Sequence, residues 1–241
     1  MGKLTQRYRY SIILLKQLVK TDFKLRYQGS VLGYVWSLLR PLFMFAILYV
    51  IFGVFLKAKG DIPFYPVYLL LGILLWNFFT EVTTGSVAAI VSKGDLMRKI
   101  NFPKYVIILA VSISALINLS LNSVILAALM IYKHVPLTWD ALLIIPLIIE
   151  LFVLALALAF FLSALFVRFR DITYIWEVVI QAAFYATPIL YPLTLVPAVI
   201  AKYMLLNPMA QIIQDARYAV VTPRTETISS YWGGDALIWL I

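Results

Sequence analysis

Polar side chains recur at helical spacing inside stretches of the chain that are otherwise apolar. A residue three or four positions further along an α-helix lies on the same face, so each set forms a polar stripe. Such groups are costly in hydrocarbon, and they either join neighbouring helices by hydrogen bonds or face an aqueous path. The three stripes comprise Asn77, Glu81 and Thr84; Ser114, Asn118 and Asn122; and Glu177, Gln181 and Tyr185.

Sequence motifs for catalysis and nucleotide binding are absent from the chain. It has no G-x-x-x-x-G-K-[ST], G-x-G-x-x-G or H-E-x-x-H pattern. It has no cysteine, and its one histidine, His134, has no second metal ligand nearby in sequence. We therefore expect no catalytic residue, metal or cofactor in this chain, and we do not expect it to be an enzyme.

Five apolar stretches carry these polar residues, and four of the five are long enough to cross a bilayer. A helix needs about 20 apolar residues for that crossing. Hydrophobic residues make up 63% of the 241 and charged residues 13%, which is far from the balance of a soluble domain. The composition predicts an all-α membrane protein with one transmembrane domain over residues 31–241. The stretches are 31–56, 64–91, 106–132, 141–167 and the short 174–191.

The net charge of +9 follows the membrane topology rather than a nucleic-acid surface. Most of the basic residues lie in the first 30 positions and in the gaps after the second and fourth stretches. Because positive residues stay on the cytoplasmic side, this pattern predicts a cytoplasmic N-terminus.

The region before the first span predicts an amphipathic helix over residues 10–27. A basic face opposite an apolar face is typical of a helix lying in the membrane interface. Asp22 and Arg26 lie on the apolar side, at a spacing that allows an ion pair. Residues 1–30 therefore form a cytoplasmic interface region that anchors to lipid, contacts a partner or moves. The basic face carries Lys16, Lys20 and Lys24.

Prolines interrupt the apolar pattern after residue 188. Neither half of residues 188–217 spans the bilayer alone, so we expect re-entrant helices on the outer side. A sixth span begins near residue 232 and is incomplete within the 241 residues.

Five motifs occur in order: LGYVWSLLRPL (32–42), GDLMRKINFPKY (94–105), VRFRDI (167–172), TPILYP (187–192) and LNPMAQIIQDAR (206–217). Together they resemble the ABC-2 type transporter permeases, and most of all those that export O-antigen, capsule or teichoic-acid polymers. The resemblance implies a homodimer of six-helix subunits around a central pore. It also implies two separate ABC ATPase subunits that bind ATP and Mg on the cytoplasmic side.

The resemblance gives the two inward loops, 94–104 and 167–172, the role of coupling elements seated on the ATPase. The alternative is that they are basic loops that only fix the topology. The implied coupling residues are Arg98, Lys99, Phe102, Pro103, Lys104, Arg168, Arg170 and Asp171.

The function implied is ATP-driven export of a polyprenyl-pyrophosphate-linked, O-antigen-like polysaccharide across the cytoplasmic (inner) membrane. Cationic side chains near the inner interface would bind the lipid pyrophosphate, and aromatic rings would contact the glycan, although interfacial belts also explain such rings. The pyrophosphate candidates are Arg7, Arg9, Lys24 and Arg26. The channel candidates are Tyr34, Phe43, Tyr49, Glu177, Gln181 and Tyr185.

Two alternatives to polysaccharide export stay open. An ABC-2 exporter of drugs or small lipids would share the topology. An ion-coupled carrier would use Glu81 or Glu177 as a proton relay and would work without an ATPase.

Overall fold

The computed structural model describes residues 3–27, 35–56, 62–94 and 102–232, with backbone alone for 3–8, 23 and 25–27. Every regular element in these ranges is helical, which confirms the all-α prediction. The α-helices are α1 (Lys3–Tyr27), α2 (Val35–Leu48), α3 (Tyr65–Val87), α4 (Ala89–Ser92), α5 (Tyr105–Tyr132), α6 (Ile144–Arg168), α7 (Ile172–Ala186), α8 (Ala198–Met204), α9 (Pro208–Val220) and α10 (Ile228–Trp232).

Among the residues that the structure describes, four helical segments are long and apolar enough to cross a membrane, so the chain is a multi-pass membrane protein. In the first, α2 continues as a π-helical segment over Tyr49–Phe55; in the fourth, a 3-10 turn over Trp139–Leu143 precedes α6. The segments are Val35–Phe55, Tyr65–Val87, Tyr105–Tyr132 and Trp139–Arg168. Helix α7, with 15 residues, is shorter than a full span.

Two of the predicted apolar stretches are not single helices over their whole length. The 64–91 stretch is divided between α3 and α4. The 174–191 stretch is helical only to Ala186, because Pro188 lacks the backbone N–H that would continue the helix.

Helix α3 is the most buried of the four spans. Of its most apolar 18 residues, 78% are buried within the chain, whereas the corresponding shares for Val35–Phe55 and Trp139–Arg168 are 6% and 11%. The polar residues of α3 therefore meet protein, while the other two spans present apolar faces to whatever surrounds the chain.

The chain forms two compact units. The first comprises Met1–Ser37, Phe78–Ser120 and Phe152–Val179. Its core includes Leu18 of α1 and Phe102, packed with Ala89, Val106, Ile107 and Ala110.

The second unit comprises Leu38–Asn77, Leu121–Leu151 and Ile180–Ile241. It contains the buried first half of α3 and a smaller cluster of Leu193, Ala201, Leu205 and Ile228.

Short helices fill the part of the second unit after Pro188. Helix α9 begins with Pro208 in its first turn, where the missing N–H costs nothing, and the Asn207 side chain accepts a hydrogen bond from the Met209 backbone N–H at 3.0 Å. Neither α8 nor α9 reaches the length of a span. The predicted sixth span falls on residues 233–241, outside the described residues.

Candidate coupling and transport site

The 167–172 loop, the second of the two loops expected to face inward, is a tight, exposed turn that presents three charges. Helix α6 ends at Arg168 and α7 begins at Ile172, and all residues between them are exposed. The Arg168 guanidinium lies 5.5 Å from the centre of the Phe169 ring, and that of Arg170 lies 5.1 Å from the Phe166 ring. These rings support the two cations without neutralising them. The turn therefore offers a short, charged surface to a partner.

The first inward loop is anchored rather than exposed at its described end. Phe102 is 8% exposed and packs in the core of the first unit. Pro103 is half-buried, and Lys104 is exposed at the start of α5. Arg98 and Lys99 lie outside the described residues. Of the described candidates in this loop, Lys104 is the one whose side chain is available to a partner, and Phe102 holds the loop in place.

Helix α1 is joined to the segment that leads into this first loop. The Lys93 ammonium donates to both oxygens of the Asp22 carboxylate, at 2.8 and 2.9 Å. Leu18, one turn earlier on α1, belongs to the same core cluster as Phe102. The sequence suggested Arg26 as the partner of Asp22; the Arg26 side chain lies outside the part of the structure that is described. An ion pair and an apolar contact thus connect α1 to both flanks of the loop.

The cationic candidates for pyrophosphate binding are partly described. Arg9 and Lys24 are exposed on α1. The side chains of Arg7 and Arg26 are not described.

The channel candidates fall into two groups. Phe43 of α2 and Tyr185 of α7 are 56% and 60% exposed, and Glu177 and Gln181 are exposed on α7 at the spacing that shares one face. Tyr49 is instead half-buried between two rings, 5.8 Å from Phe45 and 6.4 Å from Tyr65. Tyr34 lies outside the described residues.

The polar stripes of α3 and α5 meet in the first unit. The Asn118 amide donates to the Glu81 carboxylate at 2.8 Å, and the Trp176 indole N–H donates to the Thr83 hydroxyl at 3.2 Å. These bonds join separate helices, which is the assembly role that such residues have in membranes.

A buried arginine at the end of the LNPMAQIIQDAR motif organises the second unit. Arg217 of α9 is 0% exposed. Its guanidinium donates to the backbone carbonyls of Tyr68, Pro188 and Ile189, at 3.1, 2.6 and 2.7 Å. It also donates to the Gln214 side chain at 3.0 Å. Four acceptors thus compensate for the loss of water around the charge.

The neighbours of Arg217 extend its contacts toward α2. The guanidinium carbon lies 3.5 Å from the centre of the Tyr68 ring. Tyr68 stacks on Tyr65 at 6.1 Å, and the Tyr65 hydroxyl donates to the Leu190 carbonyl at 2.7 Å. The aromatic ladder from Phe45 through Tyr49, Tyr65 and Tyr68 therefore ends on Arg217 and on the 187–192 turn.

Gly72 is the residue that leaves room for this guanidinium. A Cβ at that position would lie 2.5 Å from Nη2 of Arg217. The signal in the sequence was the arginine that ends LNPMAQIIQDAR within an otherwise apolar stretch, since an intramembrane or buried charge requires partners.

Asp215, two residues before Arg217, is also buried but, within the described part of the chain, lacks the hydrogen-bond partners that Arg217 has. It is 8% exposed, and no hydrogen-bond partner for its Oδ1 occurs among the described residues. Burial, with the charge of Glu150 as a smaller cause, raises the pKa of Asp215 to about 7.

Comparison with known protein families assigns the chain. The family model described as ABC-2 type transporter matches residues 13–221, which include both inward loops, Arg217 and the channel candidates. The chain belongs to the ABC-2 type transporter family.

Several curated members of the family cover most of this permease. The O-antigen export system permease protein RfbA of Myxococcus xanthus is 32% identical over 209 residues, which are 86% of this chain and 79% of the relative. The protein of the same name from Klebsiella pneumoniae is 32% identical over 214 residues, 88% and 81% of the two chains. The polysialic acid transport protein KpsM of Escherichia coli is 24% identical over 221 residues, which are 87% of this chain and 81% of the relative.

The region matched by the family model begins after Arg7 and Arg9. These two arginines therefore lie outside the matched region.

Proposed function

We propose that this ABC-2 permease is the membrane subunit of an ATP-driven exporter that moves a polyprenyl-pyrophosphate-linked polysaccharide across the cytoplasmic membrane. The observation that carries the proposal is the similarity, over more than four-fifths of the chain, to permeases named for O-antigen export and polysialic acid transport. In this proposal the chain is a homodimer of six-helix subunits with a cytoplasmic N-terminus. Two ABC ATPase subunits supply the ATP hydrolysis.

The inward turn at 167–172 supports the ATPase contact. Arg168, Arg170 and Asp171 are exposed on a turn that α6 and α7 hold from both sides. A turn fixed between two helices transmits a push from a docked partner directly into those helices. Closure of the ATPase on ATP would then move α6 and α7 as rigid elements.

The exposed side chains of α2 and α7 support a glycan path. Phe43 and Tyr185 leave more than half of their surface free, and Gln181 offers hydrogen bonds one turn before Tyr185. Aromatic faces and amides suit the alternating apolar faces and hydroxyls of sugars. In the dimer these surfaces would line the pore, with Arg9 and Lys24 holding the pyrophosphate at the inner interface.

Glu81, one of the two carboxylates that an ion-coupled carrier would use, is engaged in a hydrogen bond between helices. Glu81 accepts a hydrogen bond from Asn118 within the first unit. This contact favours helix assembly as the role of the stripe.

The test is export in proteoliposomes that contain the permease, its ATPase and a labelled lipid-linked glycan. We expect ATP-dependent export, which Arg168→Ala with Asp171→Ala abolishes without preventing membrane insertion. The matched control is Lys133→Ala with Asp140→Ala, which removes one cation and one anion from exposed positions in the loop before α6.

Three results would contradict parts of the proposal. Unchanged export by the Arg168 and Asp171 variant would remove the coupling role from that turn. Transport of drugs or short lipids but not of the glycan would favour the small-molecule exporter. Transport driven by a proton gradient without the ATPase would favour the ion-coupled carrier.

A further inference from the structure

A groove of about 670 Å³ lies in the first unit between α1 and α5. Its volume is within the range of about 300–1,000 Å³ that small-molecule sites occupy. Its apolar lining comes from both helices, with Ile12, Leu15 and Val19 on α1 and Ile113 and Ile117 on α5. The groove is thus an apolar surface of a membrane protein next to its interface helix.

Three lysines, Lys16, Lys20 and Lys24, complete the lining of this groove. They are four residues apart, so they form one row along α1, and all three are exposed. Asp22 is the only acidic residue in the sequence of α1, its carboxylate binds Lys93, and the sequence of α5 has none. Neither helix therefore supplies a further carboxylate to neutralise the row.

An apolar floor beside a row of ammonium groups matches an amphiphile with an anionic headgroup. The long lysine stems pack along apolar surface while their charged ends stay at the polar boundary. Each basic residue near an anionic leaflet contributes a similar amount of attraction to that leaflet. A row of three lysines therefore favours lipids with a negatively charged headgroup over neutral ones.

We propose that this groove binds an anionic glycerophospholipid of the inner leaflet. One acyl chain lies against Ile12, Leu15 and Ile113, and the headgroup phosphate binds the lysine row. The site goes beyond the export function, because it depends on the membrane position of α1 and not on what the permease carries. Lys24 is shared with the pyrophosphate candidates, but Arg9 does not line the groove.

The experiment is native mass spectrometry of the purified full-length permease, titrated separately with phosphatidylglycerol, phosphatidylcholine and polyprenyl phosphate. We expect saturable binding of phosphatidylglycerol. The affinity for phosphatidylcholine should be lower by a factor of about ten or more. Replacing all three lysines with glutamine should weaken phosphatidylglycerol binding by a similar factor. The matched triple arginine variant should retain it, because the charge is kept.

Two further variants separate the groove from general charge and from folding. Lys104→Gln, Lys133→Gln and Lys202→Gln together remove the same number of charges elsewhere and should leave binding intact. Ile113→Trp fills the groove without changing its charge and should displace phosphatidylglycerol, whereas Val124→Trp, at a 67% exposed position of α5, should not.

Equal binding of phosphatidylglycerol and phosphatidylcholine would overturn the proposal, as would unchanged binding by the triple glutamine variant. Displacement of phosphatidylglycerol by an equal concentration of polyprenyl phosphate would assign the groove to the lipid-linked substrate instead. Export failure with phosphatidylglycerol binding intact would count against the proposed function alone.

Discussion

Arg217 shows how one side chain fixes the turn that follows α7. A buried guanidinium without acceptors would cost several kcal/mol. Here two of its acceptors are the carbonyls of Pro188 and Ile189, which belong to a turn that has no helical partners for them. The guanidinium N–H groups and the carbonyls of the turn thus supply each other's hydrogen-bond partners. The Tyr68 ring covers one face of the guanidinium.

The first prediction concerns the space at Gly72. Gly72→Ala would place a methyl group 2.5 Å from Nη2 of Arg217, so the guanidinium must shift from its acceptors. Misplacing a buried charge and overpacking its site should cost about 2–4 kcal/mol. The measurement is the thermal unfolding midpoint of the purified protein in detergent.

Two other glycines provide graded controls for that substitution. A Cβ at Gly85 would meet one methyl group of Val111 at 3.1 Å, and a Cβ at Gly94 would meet nothing within 4 Å. Gly85→Ala should have a small effect and Gly94→Ala almost none. Equal midpoints for all three variants would show that Arg217 does not depend on the space at Gly72.

The second prediction uses the carboxyl group of Asp215. Because its folded-state pKa is raised from 3.8 to about 7, the folded state holds the proton more tightly than the unfolded state. The stability from this proton is fully present below pH 4 and is lost progressively as the pH rises from about 4 to about 7. Asp215→Asn should therefore raise the unfolding midpoint by several degrees at pH 8 and change it little at pH 4. A constant difference between the two proteins across this pH range would disprove the assignment.

At the scale of elements, α1 is joined to Lys93 by an ion pair and to Phe102 by a shared core cluster, and these two residues flank the undescribed part of the 94–104 loop. The Asp22–Lys93 ion pair is partly exposed, with side chains 25% and 22% accessible, so it contributes at most about 1 kcal/mol. The burial of Leu18 in the cluster that also contains Phe102 contributes more. A partner that moves the first loop would therefore move α1 with it.

The third prediction compares the same substitution on the two inward loops. Phe102→Ala removes a buried ring and should cost about 3–4 kcal/mol. Phe169→Ala, at a 52% exposed position, should cost less than 1 kcal/mol. Chemical unfolding in mixed detergent micelles would measure both. If the two variants are equally stable, Phe102 does not anchor the loop.

At the scale of the whole molecule, the exposed apolar faces indicate what surrounds the chain. The spans Val35–Phe55 and Trp139–Arg168 bury little of their apolar surface within the chain. Lipid and a second copy both cover such faces in a membrane. The proposed homodimer assigns α2, from the first of these spans, and α7, which follows the second in sequence, to the pore.

The sequence predicted the helical class and the membrane location well, because bilayer spans require long apolar runs whatever their tertiary contacts. It also placed Glu81 and Asn118 on stripes that meet in the structure. The role of Arg217 was missed, because it binds backbone carbonyls up to 149 residues away in sequence, and the space at Gly72 matters only once that guanidinium is in place. Residue types do not encode such carbonyl positions.

The most direct test of the account is purification of this permease from its native membrane, followed by identification of the chains that remain bound. The account predicts a stoichiometric ABC ATPase. This partner should be lost when residues 94–104 or the pair Arg168 and Asp171 are replaced, and kept in the Lys133 and Asp140 control. A chain that purifies alone and still moves substrate with a proton gradient would contradict the account.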